Sequence, residues 1–155
     1  MKKSYAVVTG ASSGIGECFA RRLAKEGYSL VLVARRKERL NRLADELKAE
    51  GTHVVIETAD LSKKDECLRL MSALGDKRIG VFINNAGFGD CGRFADTSLD
   101  KDLDMIDVNI RAVHILTKLV LRKMRSQGGG YLLNVASSAG LIPAGPYMAT
   151  YYASK

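Results

Sequence analysis

The segment that most constrains this chain lies near its start. An apolar run, Tyr5-Ala6-Val7-Val8, leads directly into Thr9-Gly10-Ala11-Ser12-Ser13-Gly14-Ile15-Gly16, after which apolar residues recur at Ile15, Phe19 and Leu23. A β-rich run before the glycines and a spacing of four after them read as strand, tight turn and helix. Gly10 lets the chain leave the strand sharply, Gly14 keeps a Cβ out of the path of a pyrophosphate, and Gly16 lets the helix pack against the sheet. Free N–H groups and the dipole at the helix start favour an anion there. Glycines also make plain turns; the position between a strand and a helix favours a nucleotide site.

The rest of the chain repeats this alternation. Further strands are predicted at Leu30–Val33, His53–Ile56, Val81–Ile83 and Tyr131–Val135, several continuously apolar as in parallel strands covered on both faces. Between them, Leu40, Leu43 and Leu47 mark a helix closed by Gly51, and Leu68, Met71 and Leu74 one closed by Gly75. A long helix from about Leu99 to Met124 carries Leu99, Leu103, Ile106, Ile110, Val113, Leu116 and Val120 on one face and stops at Gly128-Gly129-Gly130. Repeated strand–helix–strand units predict an α/β doubly wound parallel sheet, a Rossmann fold, spanning 1–155 as a single domain without a linker.

Composition narrows the functional classes. Hydrophobic residues at 46% and charged residues at 26% fit a globular protein. No apolar run approaches the roughly 20 residues of a membrane helix. The run after Lys2 and Lys3 is shorter than the roughly 7–15 residues of a signal-peptide core, so an intracellular, cytoplasmic location is expected. Cys18, Cys67 and Cys91 are widely spaced and suggest reduced thiols rather than a metal site. The net charge of +7 raises a nucleic-acid partner, but the basic residues are scattered and aromatics are few, so neither nucleic acid nor membrane is expected.

The end of the second strand bears on which dinucleotide binds. It reads Val33-Ala34-Arg35-Arg36, without the Asp or Glu that accepts from ribose hydroxyls in NAD sites. Arg35 and Arg36 are permanently charged planar donors suited to a 2′-phosphate, so NADP(H) is expected and NAD(H) is the less favoured alternative. The same arginines also suit the start of a solvated basic helix. Asp60-Leu61, after the third strand, lie where an adenine would sit, or Asp60 caps the next helix with Ser62 beside it.

Four further positions carry candidate chemistry. Asn84-Asn85-Ala86-Gly87 ends the fourth strand, where small residues permit close approach of a ribose and Asn side chains tie strands together. Tyr151 and Lys155, four apart, share one face if a helix begins there. An ammonium beside a phenol stabilises the phenolate, which lets a tyrosine exchange a proton near neutral pH. Ser138, 13 residues before Tyr151, offers a hydroxyl to a substrate oxygen, whereas Ser137 suits the strand-end turn. Asn109 is a poor interior residue for the long helix, which invites a reason for it.

Taken together, TGxxxGxG at Thr9–Gly16, Asn84-Asn85-Ala86-Gly87, Asn109, Ser138 and Tyr151-xxx-Lys155 stand in the order found in the short-chain dehydrogenase/reductase family, which this chain resembles over its whole length. The resemblance implies hydride transfer between a nicotinamide and a carbonyl or alcohol carbon, with a small-molecule substrate. It implies contacts from Gly10, Ser12, Ser13, Gly14, Ile15, Gly16, Arg35, Arg36, Asp60, Leu61, Asn85, Ala86, Gly87, Tyr151 and Lys155 to the cofactor. Ser138 would orient the substrate oxygen and Tyr151 serve as acid or base. Lys155 would hold the nicotinamide ribose, and Asn109 would distort its helix and hold a water in a proton path to the lysine. The basic residue that many NADP-preferring members carry before the second glycine is here Ser13. Members run to about 250 residues, a usual size for one domain, so the last strands and helices of the family are expected to be missing after Lys155. A chain that binds cofactor without turnover is the alternative. Members pair as dimers or tetramers through the long helix and the helix that carries Tyr151 and Lys155, so a homo-oligomer is expected of the full-length form.

Overall fold

The computed structural model describes residues 4–142 and 146–155; Lys2 and Lys3 lie outside them. Five strands, β1 (Tyr5–Thr9), β2 (Ser29–Ala34), β3 (Val54–Thr58), β4 (Ile79–Asn84) and β5 (Tyr131–Asn134), form one parallel sheet in the order β3-β2-β1-β4-β5. Helices α1 (Gly14–Lys25), α2 (Lys37–Ala49), α3 (Lys64–Ala73), α4 (Leu99–Ile106), α5 (Val113–Ser126) and α6 (Ala149–Ser154) complete it. This is the doubly wound architecture that the alternating pattern predicts.

Strand side chains alternate between two separate cores, one on each face of the sheet. Val7, Val31, Val33 and Phe82 point towards Leu70 of α3, Leu74 just after it, and Leu116, Val120 and Met124 of α5. Ala6, Val8, Leu30, Leu32 and Ile83 point the other way, towards Ala20 of α1 and Leu40, Leu43, Ala44 and Leu47 of α2. Each fully buried Leu, Val or Phe contributes about 1.5–3 kcal/mol relative to leaving it exposed. The cores hold the helices against a sheet whose centre, β1, is paired on both sides. From β1 the chain runs to β2 on one side and later returns to β4 on the other. That reversal opens a crevice beyond the carboxyl ends of the two strands.

Helix faces depart from the predicted ones in three places. On α4 and just beyond, Leu99, Leu103, Ile106 and Ile110 are exposed, and Met105, Val108, Asn109 and Ala112 are buried instead. The predicted long helix is also divided: Asp107–Ala112 is a wide π-helical turn between α4 and α5, and that change of pitch shifts the phase of the apolar series. Leu68 of α3 is exposed while Cys67 and Leu70 face the core, and Ile15 of α1 is exposed at the crevice rather than packed.

Candidate active site

The crevice is an open cleft of about 790 Å³. Its floor is the glycine-rich turn. Gly10 and Gly14 adopt φ of 66° and 57°, the left-handed region that disfavours a side chain. A Cβ at Gly16 would fall on the carbonyl of Gly10 and the amide of Asn85, so this glycine is demanded by packing. A Cβ at Gly10 would meet Ala86 Cα at 2.9 Å. The turn and the Asn85-Ala86 segment are thus in direct contact.

Thr9 makes that contact specific. Its hydroxyl donates to the Ile83 carbonyl at 3.2 Å and accepts the N–H groups of Asn85 and Ala86, both at 3.0 Å. Asn85 Nδ2 donates back to the Thr9 carbonyl at 3.0 Å. Asn84 binds the neighbouring strand and helix, donating to Asn134 Oδ1 at 2.9 Å and Thr117 Oγ1 at 3.1 Å. The asparagines therefore tie strand ends together, as the sequence suggests.

At one end of the cleft Arg36 reaches back over the turn. Its Nη2 donates to Ser12 Oγ at 3.0 Å and Ser13 Oγ at 2.9 Å. Arg35, Arg36, Ala34, Asp60 and Leu61 line this end, together with Ser12, Ser13 and Ile15. No carboxylate occupies the end of β2, and a cation stands over the position where Ser13 replaces a basic residue. Asp60 Oδ1 accepts from Ser62 N at 3.2 Å and Ser62 Oγ at 2.9 Å. Since α3 starts only at Lys64, Asp60 closes the preceding turn instead of capping the helix, while also lining the cleft.

At the other end are Asn85, Ala86, Gly87, Tyr151 and Lys155. Lys155 Nζ lies 6.0 Å from the centroid of the Tyr151 ring and donates to the Val135 carbonyl at 3.4 Å. α6 begins at Ala149 and carries Tyr151, and Lys155 follows directly as its C-cap. Asn109 sits inside the π turn, 7% exposed, where the widened pitch turns its amide inward. Its Oδ1 accepts from Phe88 N at 3.1 Å and its Nδ2 donates to the Phe88 carbonyl at 2.9 Å and to Ser154 Oγ at 2.8 Å. It does not bond Lys155 directly.

Ser138 is exposed and opens a short 3-10 turn at Ser138–Gly140 that packs against the end of α6, where a Cβ at Gly140 would fall on the Lys155 carbonyl. Ser137 Oγ accepts from Ala139 N at 3.1 Å, the structural role its position suggests. Cleft residues that escape sequence reasoning include Phe88, Gly89, Asp90, Cys91 and Met148. Lys101 donates to Asp90 Oδ1 at 2.7 Å and holds that carboxyl below the usual carboxylate range. Thr9 enters the sequence only as the head of the glycine-rich motif, and Ser154, three residues after Tyr151, carries no sequence signal beyond its small hydroxyl.

Several features fit a dinucleotide: a cradle that a Cβ would fill at Gly10 and Gly16, an exposed helix start at Gly14, and a pair of guanidinium groups at one end. Gly14, Ile15 and Gly16 open α1, so their free backbone groups face the turn.

Comparison with known proteins agrees. A family model described as short chain dehydrogenase matches residues 4–155. A very-long-chain 3-oxoacyl-CoA reductase from Anas platyrhynchos is 38% identical over 98% of this chain and 50% of its own length. This chain therefore spans about half of that relative. A short-chain dehydrogenase from Sphingobium yanoikuyae solved with NADPH superposes with a TM-score of 0.92, at 37% identity, over 98% of this chain and 60% of that one. The bulky-bulky ketone specific alcohol dehydrogenase from Comamonas testosteroni gives 0.93 at 34% identity, over 100% and 63%. With the matching model, the parallel sheet and the cleft residues in agreement, the chain belongs to the short-chain dehydrogenase family.

Proposed function

We propose that this chain holds NADP(H) in its cleft and forms the cofactor-binding part of an oxidoreductase that interconverts a carbonyl and an alcohol. The observation that carries the reading is one cleft with a guanidinium over the glycine-rich turn at one end and a phenol–ammonium pair at the other. Arg36, with Arg35, binds the 2′-phosphate, and the backbone of Ser12 to Gly16 binds the pyrophosphate. Asp60 and Leu61 flank the adenine, and Asn85, Ala86 and Gly87 flank the nicotinamide ribose with Lys155. When bound, the nicotinamide supplies or accepts the hydride. In reduction, Tyr151 gives its hydroxyl proton to the substrate oxygen as negative charge develops there, and in oxidation it takes that proton back. The Lys155 ammonium stabilises the phenolate. Ser138 donates a hydrogen bond to the same substrate oxygen, and Asn109 completes a proton path to Lys155 through water.

The substrate is a small ketone or alcohol. The Sphingobium relative's NADPH and the Comamonas relative's ketone support this reading. Among the described residues no helix is long and apolar enough to cross a membrane. A second copy of the chain is the proposed partner. Leu99, Leu103, Ile106, Ile110 and Leu121 are exposed along α4, the π turn and α5. The first half of this long helix also exposes Asp100 and Asp104, and the second half Lys118, Arg122 and Arg125. An antiparallel pair sets opposite charges against each other.

Fluorescence titration with NADPH and NADH tests binding, and NADPH oxidation over a panel of ketones tests turnover. NADPH is expected to bind more tightly, and Tyr151→Phe to bind without turnover. Absence of NADPH binding, with salt-sensitive retention of DNA instead, would overturn the reading.

A further inference from the structure

Gly87, Phe88 and Gly89 form a strap along the cleft between β4 and the reacting pair. Asn109 grips the middle residue by both its backbone groups. The flanking glycines face the pair. A Cβ at Gly87 would stand 2.9 Å from Asn109 Oδ1 and 3.1 Å from Lys155 Nζ. A Cβ at Gly89 would stand 2.9 Å from Tyr151 Cδ2, 3.2 Å from Cγ and 3.3 Å from Cε2. The Tyr151 ring therefore rests on the bare Cα of Gly89. The backbone there is not in the left-handed region, so it is the missing side chain that matters at this position.

The helix side is anchored to the same amide. Ser154 is 9% exposed; its hydroxyl accepts from Asn109 Nδ2 at 2.8 Å and donates to the Tyr151 carbonyl at 2.8 Å. One buried amide in the π turn thus holds both the strap under the ring and the turn of α6 that carries the ring. Neither Gly89 nor Ser154 has an atom that exchanges a proton with substrate in the mechanism above. Both act on where the phenol stands.

We infer that Gly89 and Ser154 are positioning residues for Tyr151, a platform and a latch joined through Asn109. The inference rests on the proposed role of Tyr151. Its physical ground is that a proton donor displaced by about 1 Å loses on the order of a hundredfold in rate.

The test uses Gly89→Ala, Ser154→Ala and Ser154→Thr in the protein. NADPH affinity is read by fluorescence and kcat by NADPH oxidation with the ketone panel. Gly89→Ala is expected to lower kcat at least tenfold, with NADPH affinity within twofold of the parent. Ser154→Ala is expected to lower kcat several-fold, and Ser154→Thr, which restores the hydroxyl, to recover most of it. A parental kcat in Gly89→Ala overturns the inference, as does equal loss in the two Ser154 variants. Thermal unfolding supplies a readout that needs no substrate. Gly89→Ala is expected to lower Tm in the parent and to leave it unchanged in the Tyr151→Ala background, where the ring is gone. The same drop in both backgrounds overturns the inference even if no ketone is reduced. A parent that binds no NADPH refutes the proposed function instead, and leaves the unfolding comparison to decide this one.

Discussion

Arg36 and Ser13 meet across the mouth of the cleft, guanidinium to hydroxyl at 2.9 Å, although one follows β2 and the other precedes α1. The contact puts a permanent positive charge on a turn whose own residues carry none. It also ties the turn that follows β1 to the end of β2, the strand paired beside it.

Removing that charge is expected to act on one cofactor only. Arg36→Ala loses a charge-assisted hydrogen bond of about 1.5–3 kcal/mol, so NADPH binds roughly ten- to a hundredfold more weakly. NADH affinity stays within about twofold. Titration of both nucleotides checks this; parallel loss for the two would assign Arg36 to the fold and not to a phosphate.

The glycines of the turn are expected to differ in why they resist substitution. Gly16→Ala drives a methyl into the Gly10 carbonyl and the Asn85 amide, so it overpacks the strand–helix junction at a cost of about 1–3 kcal/mol. Gly14→Ala meets no atom within 4 Å but is held at φ 57°, costing about 1–2 kcal/mol through the backbone alone. Urea unfolding measures both. Gly16→Ala should also perturb the Asn85 amide resonance, and Gly14→Ala should not.

Thiol chemistry is expected to sort the cysteines by burial. Desolvation, helped by the charges of Glu66 and Asp60, pushes the Cys67 thiol up to about 11, while Cys18 and Cys91 are exposed. At pH 8, maleimide should label Cys18 and Cys91 within minutes and spare Cys67 until the protein unfolds. Because Cys91 lines the cleft and Cys18 does not, saturating NADPH should slow labelling of Cys91 alone. Mass spectrometry of the labelled peptides reads each site.

The Asp90–Lys101 pair gives a pH dependence of known sign. The hydrogen bond from Lys101 lowers the carboxyl below its ordinary value, and the partner's charge adds to this. A carboxyl whose pKa is lower folded than unfolded adds stability that is present above its unfolded value and is lost as pH falls through the folded one. Lys101→Met should therefore return the Asp90 titration, followed by NMR, towards the ordinary carboxylate range. It should also flatten the acid limb of the stability curve slightly, since the pair is exposed.

Self-association through the long helix should depend on salt and on charge sign. Arg122→Glu with Arg125→Glu places acid where the antiparallel pairing needs base. Sedimentation should show a weaker dimer, partly recovered when Asp100 and Asp104 are changed to lysine in the same chain. An unaltered sedimentation profile would remove this helix from the interface.

Much of the framework was legible because it rests on local pattern. β1, the glycine-rich turn and α1 follow from the apolar run ending at Thr9 and the spacing after Gly14, and the doubly wound parallel sheet follows from strand–helix repetition. What period cannot supply is phase. Leu99, Leu103, Ile106 and Ile110 have helical spacing yet face solvent, because Met105, Val108 and Ala112 form a second series and the π turn changes the pitch between them. Asn109 stood out as an odd helix residue, but its bonds to Phe88 and Ser154 join segments 21 and 45 residues away, which no local rule reaches. The contact of Gly89 with Tyr151 is hidden for the same reason. The spacing of Ser138 from Tyr151 points to it, but only the fold shows its 3-10 turn packed against the end of α6.

The place of β1 in the sheet has a consequence for biosynthesis. Val7 is matched to Val31 on one flank and to Phe82 on the other, so its two neighbours leave the ribosome at very different times. A nascent chain assembles β1, β2 and β3 early and then waits, with one side of the central strand β1 bare, until Ile79–Asn84 emerges. During that interval the bare side is open to strands of other nascent chains, and slower translation through the stretch before Ile79 lengthens the exposure.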